Sequence, residues 1–123
     1  MADHYPLPDT TRIYHNPHCS KSRQALALLE ERGVKPEVVR YLETPPGADE
    51  LAGLVSAMGC QVRDIIRIKE SEYKELGLDN EALSEQQLLA ALSRQPGLIQ
   101  RPIVVHGGRV VIGRPPEKVL ELL

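Results

Sequence analysis

The stretch of residues 11–42 most limits how this chain can fold, because a strand pattern, a tight turn, a helix pattern and a second strand pattern follow one another without a break. Residues 11–15 (TRIYH) have the β-branched and aromatic character of a short strand, which the Asn16-Pro17 pair ends in a turn. From residue 20 to 32 the chain is rich in strong helix formers, with Ala25, Leu28 and Leu29 on one face and Gly33 as the stop. Residues 37–42 (EVVRYL) read as the second strand. Two strands joined by so short a helical crossover pair in parallel, with a right-handed connection. That predicts an α/β fold.

Thr44, Pro45, Pro46 and Gly47 break the chain. After them Leu51, Leu54, Val55 and Met58 keep the i, i+3, i+4, i+7 spacing of an amphipathic helix ending at Gly59. Val62, Ile65 and Ile66 suggest another short helix, and Ser84 with Gln87 forms a capping box ahead of Leu88, Leu89 and Leu92. Residues 47–95 thus read as mostly helical. Residues 103–105 and 109–112 are β-branched runs around His106, with Gly107-Gly108 at the turn of a hairpin. Pro115 and Pro116 open a last helix running to Leu123. The order β-α-β, helical insertion, β-β-α matches a thioredoxin-like layout around a mixed four-stranded sheet. Residues 1–10 read as a flexible N-terminal arm and 11–123 as one domain. A chain of 123 residues can bury about two-thirds of its unfolded surface, and without Phe or Trp its core must be aliphatic.

The net charge of -2 steers the molecule toward neither nucleic acid nor anionic lipid, and four Tyr leave few platforms for stacking bases. No apolar run approaches the roughly eighteen residues of a membrane span, and the opening MADHYPLPDT lacks the basic and apolar regions of a signal peptide. A cytoplasmic protein is expected, monomeric and without a bound cofactor or metal. Two cysteines, Cys19 and Cys60, are too few for a disulfide scaffold.

Cys19 falls between a strand end and a helix start, where unpaired backbone N–H groups and the helix dipole favour a thiolate. The thiolate is the nucleophilic form, so a lowered pKa activates it, and His15 and Arg23 are placed to add to the effect. A cysteine used only as a small core residue would gain nothing from such an exposed position. Arginines set what it can attack, because planar guanidinium groups bind tetrahedral oxyanions through paired hydrogen bonds. If residues 103–105 run antiparallel to residues 11–15, their start lies beside the Cys19 end. Arg101 and Arg114, which bracket the hairpin, then reach the same edge. Arg12, Arg32, Arg40 and Arg94 read as solvated surface.

A cysteine phosphatase loop needs Arg six residues after the nucleophile, and that position is Ala25. His15, His18 and Cys19 lack the second Cys or His pair of a zinc site. Cys60 reads as a bystander, and His4 and His106 as solvent-facing.

At these residues the chain resembles the glutaredoxin-coupled arsenate reductase family, through YHNPHCSKSR at residues 14–23. YLETPP (41–46), YKELGL (73–78), RPIVV (101–105) and GRPPEKVLELL (113–123) continue the likeness in family order. After the cysteine this chain has Ser20-Lys21 where known arsenate reductases have Gly-Thr. The resemblance implies an oxidoreductase of arsenical resistance with Cys19 as nucleophile, supported by His15, Ser22 and Arg23. Arg67, Arg101 and Arg114 would hold the arsenate. Arg67 comes from family position alone, with Arg63, one turn away, as its rival. The same likeness implies a cis peptide at Arg101-Pro102. It also implies a mechanism: Cys19 attacks arsenic(V), glutathione serves as the reducing co-substrate, and glutaredoxin resolves the mixed disulfide before arsenite leaves. Ser22 stands where a resolving cysteine would be in a CxxC motif, consistent with outside thiols. The alternative is a noncatalytic thioredoxin-like adaptor that binds RNA polymerase, or a thiol reductase acting on another substrate.

Overall fold

A computed structural model describes residues 7–123; His4 and most of the expected N-terminal arm lie outside the described residues. Those residues form two compact units, one from residues 7–44 with Arg101–Leu123 and one from Pro45–Gln100.

The first unit holds the sheet. Strand β1 (Thr11–Tyr14) leads into helix α1 (Ser20–Glu31) and strand β2 (Glu37–Val39), and the hairpin strands are β3 (Ile103–His106) and β4 (Arg109–Ile112). The order is β2-β1-β3-β4, with β1 parallel to β2 and antiparallel to β3. This is the mixed four-stranded α/β sheet the pattern predicts. Gly107 and Gly108, at φ 57° and 79°, supply the two left-handed positions that a two-residue hairpin turn demands. Register then fixes the site's neighbourhood: Tyr14 pairs with Ile103, and Ile103 with Ile112. The exit of β1, the entrance of β3 and the exit of β4 therefore share one edge. Arg12 is held across the β1/β2 pair by Glu37 at 2.9 Å rather than standing free in solvent.

Ala25 and Leu29 of α1 join Ile13, Val104, Val119 and Leu122 in an aliphatic core. Strand β2 is shorter than predicted. Tyr41 is fully buried, and the Arg40 carbonyl accepts the amides of Glu43 (3.0 Å) and Thr44 (2.9 Å), closing a turn where more strand was expected. The C-terminal segment Pro116–Leu122 is a 3-10 helix. Its buried residues, Pro116, Val119 and Leu122, recur every third position, which suits three residues per turn better than 3.6.

The second unit is helical. Helix α2 (Ala48–Met58) ends at Gly59, which adopts φ 66°. A 3-10 helix (Val62–Ile65), helix α3 (Ser71–Glu75), helix α4 (Glu85–Arg94) and a 3-10 turn (Pro96–Leu98) follow. The predicted capping box is present: Ser84 Oγ accepts the Gln87 amide at 3.1 Å, and Gln87 Oε1 accepts the Ser84 amide at 2.8 Å. Arg63 straps this unit by donating to the Tyr73 hydroxyl (2.8 Å) and to the carbonyls of Leu78 (2.6 Å) and Asn80 (2.8 Å).

Candidate active site

Asn16 shapes the loop that carries the cysteine. Its side-chain oxygen accepts the His18 amide (3.0 Å), an Asx turn. Its carbonyl accepts the Cys19 amide (3.0 Å), and its own amide donates to Ser22 Oγ (3.1 Å). The polypeptide thus turns directly from β1 into α1, with Cys19 as the residue before the helix and no acidic side chain in the first turn to compete for its amides.

Cys19 is only 8% exposed, although the sequence pattern placed it at an exposed helix start. Burial is the largest single influence on its thiol and opposes ionisation. The Ser22 amide, the Arg101 guanidinium and the Lys21 amide together outweigh it, so the thiol lies below its ordinary range. Arg114 adds a second guanidinium, its Nη2 standing 3.9 Å from the sulfur while its Nε donates to the Arg101 carbonyl at 2.7 Å. The convergence of Arg101 and Arg114 on the β1 exit follows the predicted topology.

Arg101 has a further property. Its Nε and Nη1 are buried and make no hydrogen bond among the described residues. Buried guanidinium nitrogens are costly to leave unpaired, so this side chain is set up for an acceptor brought by a ligand. The peptides Arg101-Pro102 and Arg114-Pro115 are both cis; only the first was foreseen. Gly113 closes the arrangement: its amide donates to the Pro102 carbonyl at 2.8 Å, and a Cβ there would lie 2.9 Å from Pro102 Cγ.

His15 does not bond to the thiol. It is buried, and its Nδ1 lies 2.6 Å from Ser22 Oγ, a fully buried hydroxyl. Burial first, then the charges of Arg40 and Arg23, push the imidazole below its ordinary range and favour the neutral ring. The Asn16 amide also donates to Ser22 Oγ, so this hydroxyl ties the imidazole to the loop backbone. Arg23 reaches the Pro17 carbonyl at 2.9 Å and so braces the loop rather than touching the sulfur.

Cys19, His15, Ser22, Arg23, Arg101 and Arg114 all lie in the sheet unit, whereas Arg67 lies in the helical unit. There Arg67 contacts Glu70 and donates from Nη1 to the Gly97 carbonyl at 3.1 Å. Its rival Arg63 is the strap described above, its guanidinium committed to Tyr73, Leu78 and Asn80. Cys60 is half-buried, with its thiol raised by burial and by Asp64. His106, read as solvent-facing, is half-buried and bonded through Nδ1 to Thr11 Oγ1 at 2.6 Å. Reading the sequence missed Asn16 and Gly113. The Asn-Pro turn was visible, but nothing in the sequence marks Gly113 as the seat of a proline ring.

Among the described residues no cluster of three or more His, Cys, Asp or Glu could hold a metal ion, and no helix is long and apolar enough to cross a membrane.

Comparison with known proteins adds to this geometry. The model of the ArsC family matches residues 14–122. An arsenate reductase of Neisseria meningitidis is 49% identical over 113 residues, which is 91% of this chain and 97% of that one. The uncharacterized protein YfgD of Escherichia coli is 53% identical over 113 residues, 91% of this chain and 95% of that one. Among solved structures, an arsenate reductase from Vibrio cholerae superposes with a TM-score of 0.91 at 51% identity, covering 95% of this chain and all of that one. The thioredoxin-like fold read from the element order is that of these neighbours.

Proposed function

The chain belongs to the ArsC family, and from that premise we propose that it is an oxidoreductase reducing arsenate to arsenite at Cys19, with electrons from glutathione and recovery through glutaredoxin. The observation that carries this reading is a thiol held below its ordinary range against an arginine whose Nε and Nη1 are buried without a hydrogen-bond partner among the described residues. A nucleophile and an oxyanion donor side by side are what arsenate chemistry requires.

In the proposed sequence the Cys19 thiolate attacks arsenic(V). A sulfur–arsenic bond forms, one arsenic–oxygen bond breaks, and that oxygen leaves as water after protonation. Arg101 and Arg114 donate to the remaining oxygens, and Arg67 is the third donor by family position. Glutathione then attacks the adduct. Two electrons pass to arsenic, which becomes trivalent, while the sulfurs of Cys19 and glutathione are oxidised to a mixed disulfide. Glutaredoxin exchanges with that disulfide and restores the thiol. Ser22 supports the need for outside thiols, since the position of a resolving cysteine is occupied by the hydroxyl that holds His15. His15 and Ser22 keep the loop in register, and Arg23 secures it through Pro17. A reducing cytoplasm is the compartment in which this cycle runs.

The test follows NADPH oxidation with arsenate, glutathione, glutaredoxin and glutathione reductase, comparing the native protein with Cys19→Ser. Saturable turnover that vanishes in the variant supports the reading. Absence of turnover by the native protein, with its thiol shown to be reduced, refutes it.

A further inference from the structure

Both guanidinium groups at Cys19 come from the β3/β4 side of β1. On the β2 side of the same loop is a separate cavity of about 230 Å³, lined by His15, Asn16, His18, Arg40, Leu42 and Glu43. It lies beyond the carboxyl ends of the parallel pair β1 and β2. From it we infer that this cavity seats the α-amino-acid head of the reducing thiol peptide, with Arg40 receiving its carboxylate and Glu43 its ammonium. The inference rests on the thiol-donor reading above and adds the residues that would recognise that donor.

The lining matches this chemistry. Arg40 and Glu43 stand 3.8 Å apart, and their side chains are 57% and 67% exposed. A pair so solvated binds each partner weakly, so both charges can turn to a ligand. The turn that ends β2 fixes them side by side, since the Glu43 amide donates to the Arg40 carbonyl at 3.0 Å. A cation and an anion at that spacing complement a zwitterion, whereas a lone anion would meet Glu43 as well as Arg40. Leu42, 45% exposed, offers the apolar contact a peptide stem needs. The volume equals that of roughly eight waters, enough for an amino-acid head but not for a whole tripeptide. The remainder would extend outward. His18, which lines the cavity, directly precedes Cys19, so a head seated here would lie beside the loop that carries the thiol.

The test is amide chemical-shift mapping of the reduced, full-length protein with S-methylglutathione, whose sulfur cannot react. Saturable shifts centred on residues 16–18 and 40–43 are expected, weakened about threefold to tenfold by Arg40→Gln or Glu43→Gln. N-acetylation of the probe should weaken binding to the native protein and leave Glu43→Gln unaffected. Shifts that do not saturate, shifts centred on residues 101–103, or the same shifts from inorganic phosphate alone would overturn the assignment. Because no turnover is involved, a protein that binds the probe here yet fails to reduce arsenate refutes the earlier reading and leaves this one standing.

Discussion

Replacing Arg101 by Met should make the ligand-free protein more stable while removing the oxyanion site proposed for it. Two guanidinium nitrogens, Nε and Nη1, are buried without hydrogen-bond partners among the described residues, and each such group costs about 1–3 kcal/mol. Methionine follows the arginine stem and carries no donor, so it removes that cost. Against the gain stands the attraction between Arg101 and an ionised Cys19, which a Cys19→Ser parent eliminates. Arg101 is also partly exposed overall, which discounts the benefit. Arg101→Met in the Cys19→Ser background should therefore gain about 2 kcal/mol, taking the low end of the summed range. For a domain of this size that raises Tm by roughly 8 °C.

The assay is thermal and urea unfolding in buffer free of phosphate, sulfate and arsenate, repeated as arsenate is added. An oxyanion that binds only the folded state stabilises by about 2.7 kcal/mol at one hundred times its Kd. The Cys19→Ser parent should show this gain and the double variant should lose it, so the two stability curves cross as arsenate rises. A double variant less stable than its parent without oxyanion would refute the argument from unpaired nitrogens. Arsenate stabilisation surviving in the double variant would refute Arg101 as a ligand.

Gly113→Ala places a Cβ 2.9 Å from Pro102 Cγ and 3.2 Å from Val119 Cγ1; overpacking of this kind costs about 1–3 kcal/mol in urea unfolding. The ring it displaces follows Arg101, so turnover should fall by about tenfold or more. Arg63→Met removes the strap to Tyr73, Leu78 and Asn80 and should destabilise by about 2–3 kcal/mol. Arg67→Met should cost less than about 1 kcal/mol yet raise the KM for arsenate. The reverse ranking would exchange their roles. Arg101→Gln should move the thiolate absorbance midpoint of Cys19 upward more than Arg114→Gln does, because buried charge is less screened than the exposed Arg114 guanidinium. The depressed folded-state pKa of Cys19 also makes stability rise with pH, fully present above the unfolded thiol value and lost as pH falls through the folded one. The lowered His15 likewise costs stability as pH drops below its unfolded pKa of about 6.5, so His15→Gln should flatten the acid limb of the stability profile.

Local pattern and topology made much of the fold legible, each for a physical reason. Residues 11–42 announced a parallel β-α-β unit because periodicity switches twice within one segment and a crossover has a single preferred hand. Gly107-Gly108 fixed the hairpin because few other residues accept two left-handed positions. From those two facts the meeting of Arg101 and Arg114 follows, since antiparallel register must return both hairpin ends to the exit of β1. Where β2 stops was not legible, because the burial of Tyr41 depends on tertiary surroundings.

The finer electrostatics of the site were illegible for a different reason. Sequence spacing suggested that His15 and Arg23 would help the thiol, yet His15 turns to Ser22 and Arg23 to Pro17. The groups that lower the thiol include two backbone amides, which every residue carries and no sequence pattern distinguishes. Arg63 and Arg67 show the same limit from the other side. They are four residues apart and chemically identical, so only the acceptors around them separate a structural strap from a candidate oxyanion donor. The carbonyls of Leu78 and Asn80 commit Arg63. Arg67 holds one carbonyl and a partly exposed Glu70, and a solvated carboxylate is a partner that an incoming oxyanion can replace. Charge therefore marks which residues could bind the substrate, and the partners each charge already has determine which of them remain able to.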